Sequence, residues 1–237
     1  MALPPDPSET FIREVDENLR RDEMRDMARA YGKWAIAAVI LLIVAVGAYL
    51  YWQDRRTKAA EAGTEQLAQT LSDIGAGKDA EATAALAQLA KADSPALSAS
   101  ARLTSAALAL EKGDRKTASM TYNAIAADTD IAQPYRDLAL VRAIALDFDS
   151  LKPDEVIARL QPLTQAGNPF FGSAGEMTGM ALIAKGQKAA AGQLFARIAA
   201  DKTVPDSLRS RAVQVAGTLG VDASASLPTG PLPAIGQ

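Results

Sequence analysis

The chain contains neither histidine nor cysteine. Without imidazole there is no His general base and no Ser-His-Asp or Cys-His pair, and without either side chain zinc loses its usual nitrogen and sulfur ligands. Disulfides are excluded as well, so cysteine usage is silent on redox compartment. Neither a GxxxxGK[ST] phosphate loop nor a strand-linked GxGxxG occurs, which leaves nucleotide binding without support. Aromatic residues make up 5% of the chain. Alanine, leucine, glutamine and charged residues dominate over β-branched and aromatic ones, so strands are not expected. The net charge is −3 over 237 residues, without the basic footprint of a nucleic-acid binder.

Carboxylates are the remaining candidates for acid, base or calcium-ligand chemistry, in pairs such as Asp147 with Asp149 and Asp154 with Glu155. Both pairs fall beside expected helix ends, where capping and solvated acids are ordinary. The expectation is a non-enzymatic protein with no catalytic residue, no metal and no cofactor.

What the chain does have is one long apolar run, WAIAAVILLIVAVGAYLYW, at residues 34–52. At 1.5 Å per residue it extends roughly 28 Å, close to the ~30 Å hydrocarbon thickness of a bilayer. Ile36, Val39, Ile40, Leu41, Leu42, Ile43, Val44, Val46 and Leu50 together favour insertion by roughly 3 to 5 kcal/mol, and no charge opposes them. Trp34 at one end and Tyr49, Tyr51 and Trp52 at the other suit the two headgroup levels, and Lys33, Arg55 and Arg56 can reach phosphates. A buried helix of a soluble core would not carry aromatic belts and basic flanks at both ends. A cleaved signal peptide would begin nearer the N-terminus and have a shorter apolar region. With no ionisable residue inside it, the span offers no proton or ion path. Arg20, Arg21, Arg25, Arg29 and Lys33 before the span outnumber Arg55, Arg56 and Lys58 after it, which orients the N-terminus to the cytoplasm and residues 53–237 to the far side.

Residues 1–33 read as a cytoplasmic arm. Asp6 as N-cap, Pro7 at the first helical position and Glu9 three residues after the cap predict a helix start. Phe11, Val15, Leu19 and Met27 then recur near helical spacing among charges that include Glu17 and Arg21, a thin amphipathic helix that is either merely solvated or a docking element.

Beyond the span a repeat appears. Leu86, Tyr122, Leu160 and Phe195 are 36, 38 and 35 residues apart. Each follows a small or short residue by four positions (Ala82, Ala118, Val156, Ala191) and precedes an apolar one by three (Leu89, Ile125, Leu163, Ile198). Positions i, i+4 and i+7 share one helix face, so one helix of each unit is expected to press closely on its neighbour through these twelve residues. Pro95, Pro134, Pro169 and Pro205 keep the same period and can open helices, while Gly77, Gly113 and Gly186 suit helix C-caps, with Lys152-Pro153 standing in the third unit. KGDRKTASMTYNAIAAD (112–128) also aligns without gaps on KGQKAAAGQLFARIAAD (185–201).

A period of this length with two helices per unit is the tetratricopeptide arrangement, in which stacked pairs bury a continuous core and leave a concave surface. The early tryptophan and Leu-Gly pair of that signature are missing, whereas the later alanine, aromatic and proline positions survive. The expected fold is all-α: an N-terminal amphipathic helix, one transmembrane helix over 34–52, and a tetratricopeptide-like helical-hairpin solenoid over 53–221. Its pairs are expected at 55–92, 95–128, 134–166 and 169–201, with a covering helix at 205–219. Residues 222–237, DASASLPTGPLPAIGQ, have the composition of a disordered tail.

The order of a charged arm, FIREVDENLRRDEMRDMARAYGKW (11–34), one span ending in YLYWQ (49–53) and degenerate repeats directly after it resembles the bacterial ancillary SecYEG translocon subunit family. That resemblance implies a single-pass inner-membrane protein with a periplasmic repeat domain. It implies partners in the export channel and in a membrane-anchored periplasmic chaperone of the prolyl isomerase type, and brings no catalytic motif. The resulting expectation is a membrane-anchored scaffold that assists exported proteins in transit and holds protein partners, unfolded exported chains among them. It involves membrane lipid but no nucleic acid and no small-molecule substrate. A scaffold for outer-membrane assembly or cell division is the alternative.

Overall fold

The computed structural model describes residues 7–227, with side chains at Arg29, Lys33, Trp34 and from Ile36 onward. Asp6, the expected cap of the first helix, and the arm positions Phe11, Val15, Glu17, Leu19, Arg21 and Met27 lie outside the described residues or side chains. The fold is all-helical, and no strand occurs among the described residues. The chain divides into two compact units, Met1–Glu61 and Ala62–Gln237. The second begins at Ala62 rather than at 53, because Gln53 to Lys58 and Glu61 are exposed and Gly63 is the first buried position.

Helix α1 runs Pro7–Gly75. Among the described residues it is the one helix long and apolar enough to cross a membrane, with a mean hydropathy of 2.1 and none of the apolar window buried by the protein itself. Trp34 is 76% and Leu41 72% exposed. The other apolar residues of the run, Ile36, Val39, Ile40, Leu42, Ile43, Val44, Val46, Leu50 and Trp52, are exposed too. Left in water, each such large side chain forgoes about 1.5–3 kcal/mol of burial.

The second unit is a succession of helical hairpins. The last turns of α1 pair with α2 (Asp79–Leu89), α3 (Pro95–Glu111) with α4 (Arg115–Ala127), α5 (Gln133–Asp147) with α6 (Pro153–Leu160), and α7 (Phe171–Ala184) with α8 (Lys188–Ala200). Helix α9 (Asp206–Thr218) follows. Three of the hairpin turns share one geometry. Gly77, Gly113 and Gly186 adopt φ of +74°, +80° and +77°, a left-handed region open to glycine without a Cβ penalty. The next amide then donates back across the helix end: Lys78 to Asp73 O at 2.9 Å, Asp114 to Ala109 O at 2.8 Å and Gln187 to Leu182 O at 2.9 Å. These are Schellman closures. The third hairpin has no glycine. Leu151 N–H donates to Asp147 O at 3.1 Å, and Pro153 supplies the first residue of α6.

Prolines mark the other helix starts with small shifts from expectation. Pro95 opens α3, Pro134 is the second residue of α5 and Pro205 is the N-cap of α9. Pro169 stands two residues before α7, because Asn168 Oδ1 accepts from Phe170 N–H at 2.8 Å and holds that stretch in a turn. The tail expectation is corrected at its start. Residues 224–226 form a 3-10 turn, Ala223 is buried, and Arg209 Nη2 donates to Ser226 O at 3.0 Å. Residues 228–237 lie outside the described ones.

Helices α3, α5 and α7 each contribute to two successive cores, whereas the end of α1 contributes to the first alone. Leu97, Ala101 and Leu108 of α3 join Leu86 and Leu89 of α2, whereas Ala99 and Ala106 of α3 join Tyr122 and Ile125 of α4. In α5, Ala139 and Ala143 belong to the α3–α4 core and Val141 and Ile144 to the next. Sharing of this kind makes one continuous stack. The stack also has a longer period. Helices α4 and α8 begin at 115 and 188, a 73-residue offset (188 minus 115), and each has 13 residues. The same offset carries the end of α3 at 111 to that of α7 at 184 and the start of α5 at 133 to that of α9 at 206.

Candidate functional site

Contacts of α3 with α5, α5 with α7 and α7 with α9 align the first helices of the hairpins along one side of the stack. A groove of about 560 Å³ opens there in the first half of the repeat unit. Leu103, Thr104, Ala107, Leu110 and Glu111 supply one wall, at the spacing of a single face of α3, and Leu138 and Arg142 supply the α5 wall one turn apart. Leu71 closes one side, and Tyr122 reaches in from α4.

The floor is apolar and the rim is charged. Leu71 is 51% and Leu110 39% exposed. Thr104 spends its hydroxyl on Ser100 O at 2.9 Å. Tyr122 is buried, and that burial pushes its phenol above the ordinary value, against the opposing pull of the Arg142 charge. Arg142 is exposed and makes no hydrogen bond or ion pair among the described residues, and Glu111 on the facing wall makes none either. Such a surface can bury apolar side chains and orient them through one cation and one anion. Among the described residues no group of three or more acids could hold a metal ion.

The twelve positions of the repeat pattern, Ala82, Leu86, Leu89, Ala118, Tyr122, Ile125, Val156, Leu160, Leu163, Ala191, Phe195 and Ile198, are all at most 5% exposed. They are not brought together: each triplet sits in or beside the core of its own hairpin, and in the third Leu163 lies beyond the end of α6 in a 3-10 turn, Gln161–Leu163, rather than on one continuous helix face. Tyr122 alone among them also lines the groove. The other groove residues went unnoticed in the sequence. Their one signal was the excess of apolar positions on α3, where Ala107 and Leu110 extend a stripe from Leu103, which itself packs on the α3–α4 core.

The carboxylates weighed as chemical candidates have structural partners. Asp147 accepts a hydrogen bond from the Ser119 hydroxyl, Asp154 pairs with Lys185, and Glu155 pairs with Arg159 at 3.5 Å. Asp154 and Glu155 also occupy the first turn of α6, where the helix dipole favours acids. Asp149 is exposed. Hairpins are tied across their ends by Arg102 Nη1 to Asp128 Oδ2 at 2.8 Å and by Arg159 Nη2 to Asn123 Oδ1 at 2.6 Å.

In the first unit the guanidinium of Arg56 stacks 4.5 Å from the centre of the Trp52 ring and that of Arg55 lies 5.4 Å from Tyr51. Both cations therefore fold back to the aromatic level at the end of the apolar run.

A family profile described as a tetratricopeptide repeat-like domain matches residues 26–216, which takes in the apolar run and the hairpins together. No curated protein matches the chain, and no solved structure does.

Proposed function

Because the chain belongs to the tetratricopeptide repeat-like domain family, we propose that it is a non-enzymatic protein-binding scaffold, anchored by one membrane span, whose working surface is the groove between α3 and α5. The observation that carries this reading is that the exposed Leu71 and Leu110 line one groove together with the unpaired side-chain charges of Arg142 and Glu111. Patches of apolar surface rimmed by polar groups mark interaction sites. The anchor is the run at residues 34–52, the arm lies in the cytoplasm and the repeat unit lies outside it, in keeping with the excess of basic residues before the span.

The likeness of the arm and span to the ancillary translocon subunit family gives the setting: the bacterial inner membrane beside the protein-export channel, where the groove serves a periplasmic chaperone or emerging unfolded chains. A photo-crosslinking residue in place of Leu138, introduced in the full chain in cells, should trap subunits of the export channel, its chaperones or exported chains. The same residue in place of the exposed Met120 on α4 is the control. Outer-membrane assembly or division proteins on Leu138 would move the scaffold to another machine, and equal trapping at both positions would remove the groove from its function.

A further inference from the structure

The 73-residue offset places the groove over a second version of itself. Leu103 and Leu138 correspond to Glu176 and Arg211, Tyr122 to Phe195, and Arg142 to Val215. In the second version α7 and α9 are bridged: Arg211 Nε donates to Glu176 Oε1 at 2.5 Å and Nη2 donates to Oε2 at 2.8 Å, a bidentate pair supplied wholly by the chain. In the first version two leucines stand in place of that pair, and the guanidinium has moved one turn along the helix to position 142 without any acid to meet it. One half of the stack thus satisfies its furrow internally and the other leaves an apolar floor and an unmatched guanidinium.

We propose that the groove between α3 and α5 takes a short apolar polypeptide segment and fixes it through a single internal side-chain carboxylate that pairs with Arg142. This rests on the reading of the groove as the working surface and goes on to say what it selects. The carboxylate follows from the internal comparison, since Arg211 shows what the same furrow does with a guanidinium. A single acid follows from Glu111, whose charge on the facing wall disfavours an acidic run. An internal acid rather than a chain end follows from the wall itself: Leu103 to Glu111 extends about 12 Å along α3, a length beside which a segment passes.

The test uses the full chain in lipid nanodiscs. The probe is a fluorescein-labelled peptide of alternating leucine and alanine with one central aspartate, blocked at both ends, compared with its asparagine counterpart by fluorescence anisotropy. The aspartate peptide should bind about tenfold more tightly, the usual worth of one charge-assisted pair. Arg142→Gln should erase the difference in affinity between the two peptides. Equal binding of the two peptides by the wild type, or no effect of Arg142→Gln, would overturn the carboxylate assignment while the apolar groove stood. So would binding that requires an unblocked C-terminus, or a self-association of the protein that Arg142→Gln abolishes. Leu103→Glu combined with Leu138→Arg, which copies the bridge of the second half, should abolish binding of both peptides. If circular dichroism shows that variant unfolded, Leu110→Asp at an exposed wall position takes its place. Undiminished binding by the folded variant would remove the groove itself, and with it the proposed function.

Discussion

Gly179 of α7 lies directly against the ring of Phe195 in α8: a Cβ at residue 179 would stand 2.6 Å from Cε2 and 2.8 Å from Cζ. The helix offers no side chain there. At the 73-residue offset the same places are held by Ala106 and Tyr122, both buried in the α3–α4 core. Close approach of α7 and α8 through glycine, and of α3 and α4 through alanine, is how two similar hairpins accommodate one aromatic residue each.

Gly179→Ala therefore weighs two effects. Removing a mid-helix glycine gains about 1 kcal/mol of helix propensity, whereas forcing a methyl into a filled site costs about 1–3 kcal/mol. The expected net is destabilisation of the full chain, read by denaturant unfolding in micelles. In a Phe195→Leu background the clash is relieved and the same change should be neutral or stabilising. A coupling of zero in that double-mutant cycle would mean that the ring and the helix do not meet.

Ala118 and Ala191 are fully buried, and Phe195 is 1% exposed. Ala118→Leu and Ala191→Leu should each cost about 1–3 kcal/mol by overpacking, and Phe195→Ala about 3–5 kcal/mol through lost burial and a cavity. Unchanged unfolding midpoints in all three would refute this packing.

Acid should act through the hairpin ends. The hydrogen bond from Arg102 to Asp128, joined by the Asp130 amide at 3.2 Å, holds the Asp128 carboxyl below the ordinary range. Asp201, bonded by the Thr203 hydroxyl and amide, and Asp114, bonded by Thr117, are held down likewise. A carboxyl depressed in the folded state contributes stability that is complete above its unfolded value, about 3.9, and is lost as pH falls through the folded value. Asp137, raised by burial, runs the other way. The stability difference between wild type and Asp128→Asn should therefore be full at neutral pH and shrink below about pH 4. A difference that holds constant into strong acid would rule out the Arg102 pairing as its source.

Much of this fold was legible because the repeat writes the same physics four times. Alanine or valine, a large residue four later and an apolar one three after that recur because each hairpin buries the same face, and Gly77, Gly113 and Gly186 recur because the same left-handed closure does. The start of α7 was misread from Pro169, since nothing in the pattern announces that Asn168 would capture the Phe170 amide. The ordered start of the tail was invisible to composition. It depends on Arg209, which donates to Ala199 O at 2.9 Å and Ser226 O at 3.0 Å, contacts across the end of the stack. The groove was hidden for a related reason. Leu103, Ala107 and Leu138 look like any core residue until neighbouring helices show which face is left uncovered.

Orientation is tested by proteolysis. With the N-terminus in the cytoplasm, protease added to spheroplasts should digest the repeat unit, residues 62–237. Protection of that unit until the inner membrane is broken would invert the topology and end any periplasmic role.

The final prediction concerns the anchor. If the groove recognises short segments with modest affinity, tethering beside a translocating chain supplies the missing strength, because a flexible attachment raises effective concentration to about the millimolar range. A version lacking residues 1–53, secreted at native level, should then bind partners weakly and fail to complement a deletion strain. Exchanging only the span for an unrelated signal anchor separates two causes. Pure tethering predicts full rescue, whereas docking through the arm and the Tyr51 and Trp52 belt, with its stacked Arg55 and Arg56, predicts poor rescue. Complete complementation by the untethered version would defeat both, since the groove would then suffice on its own in free solution.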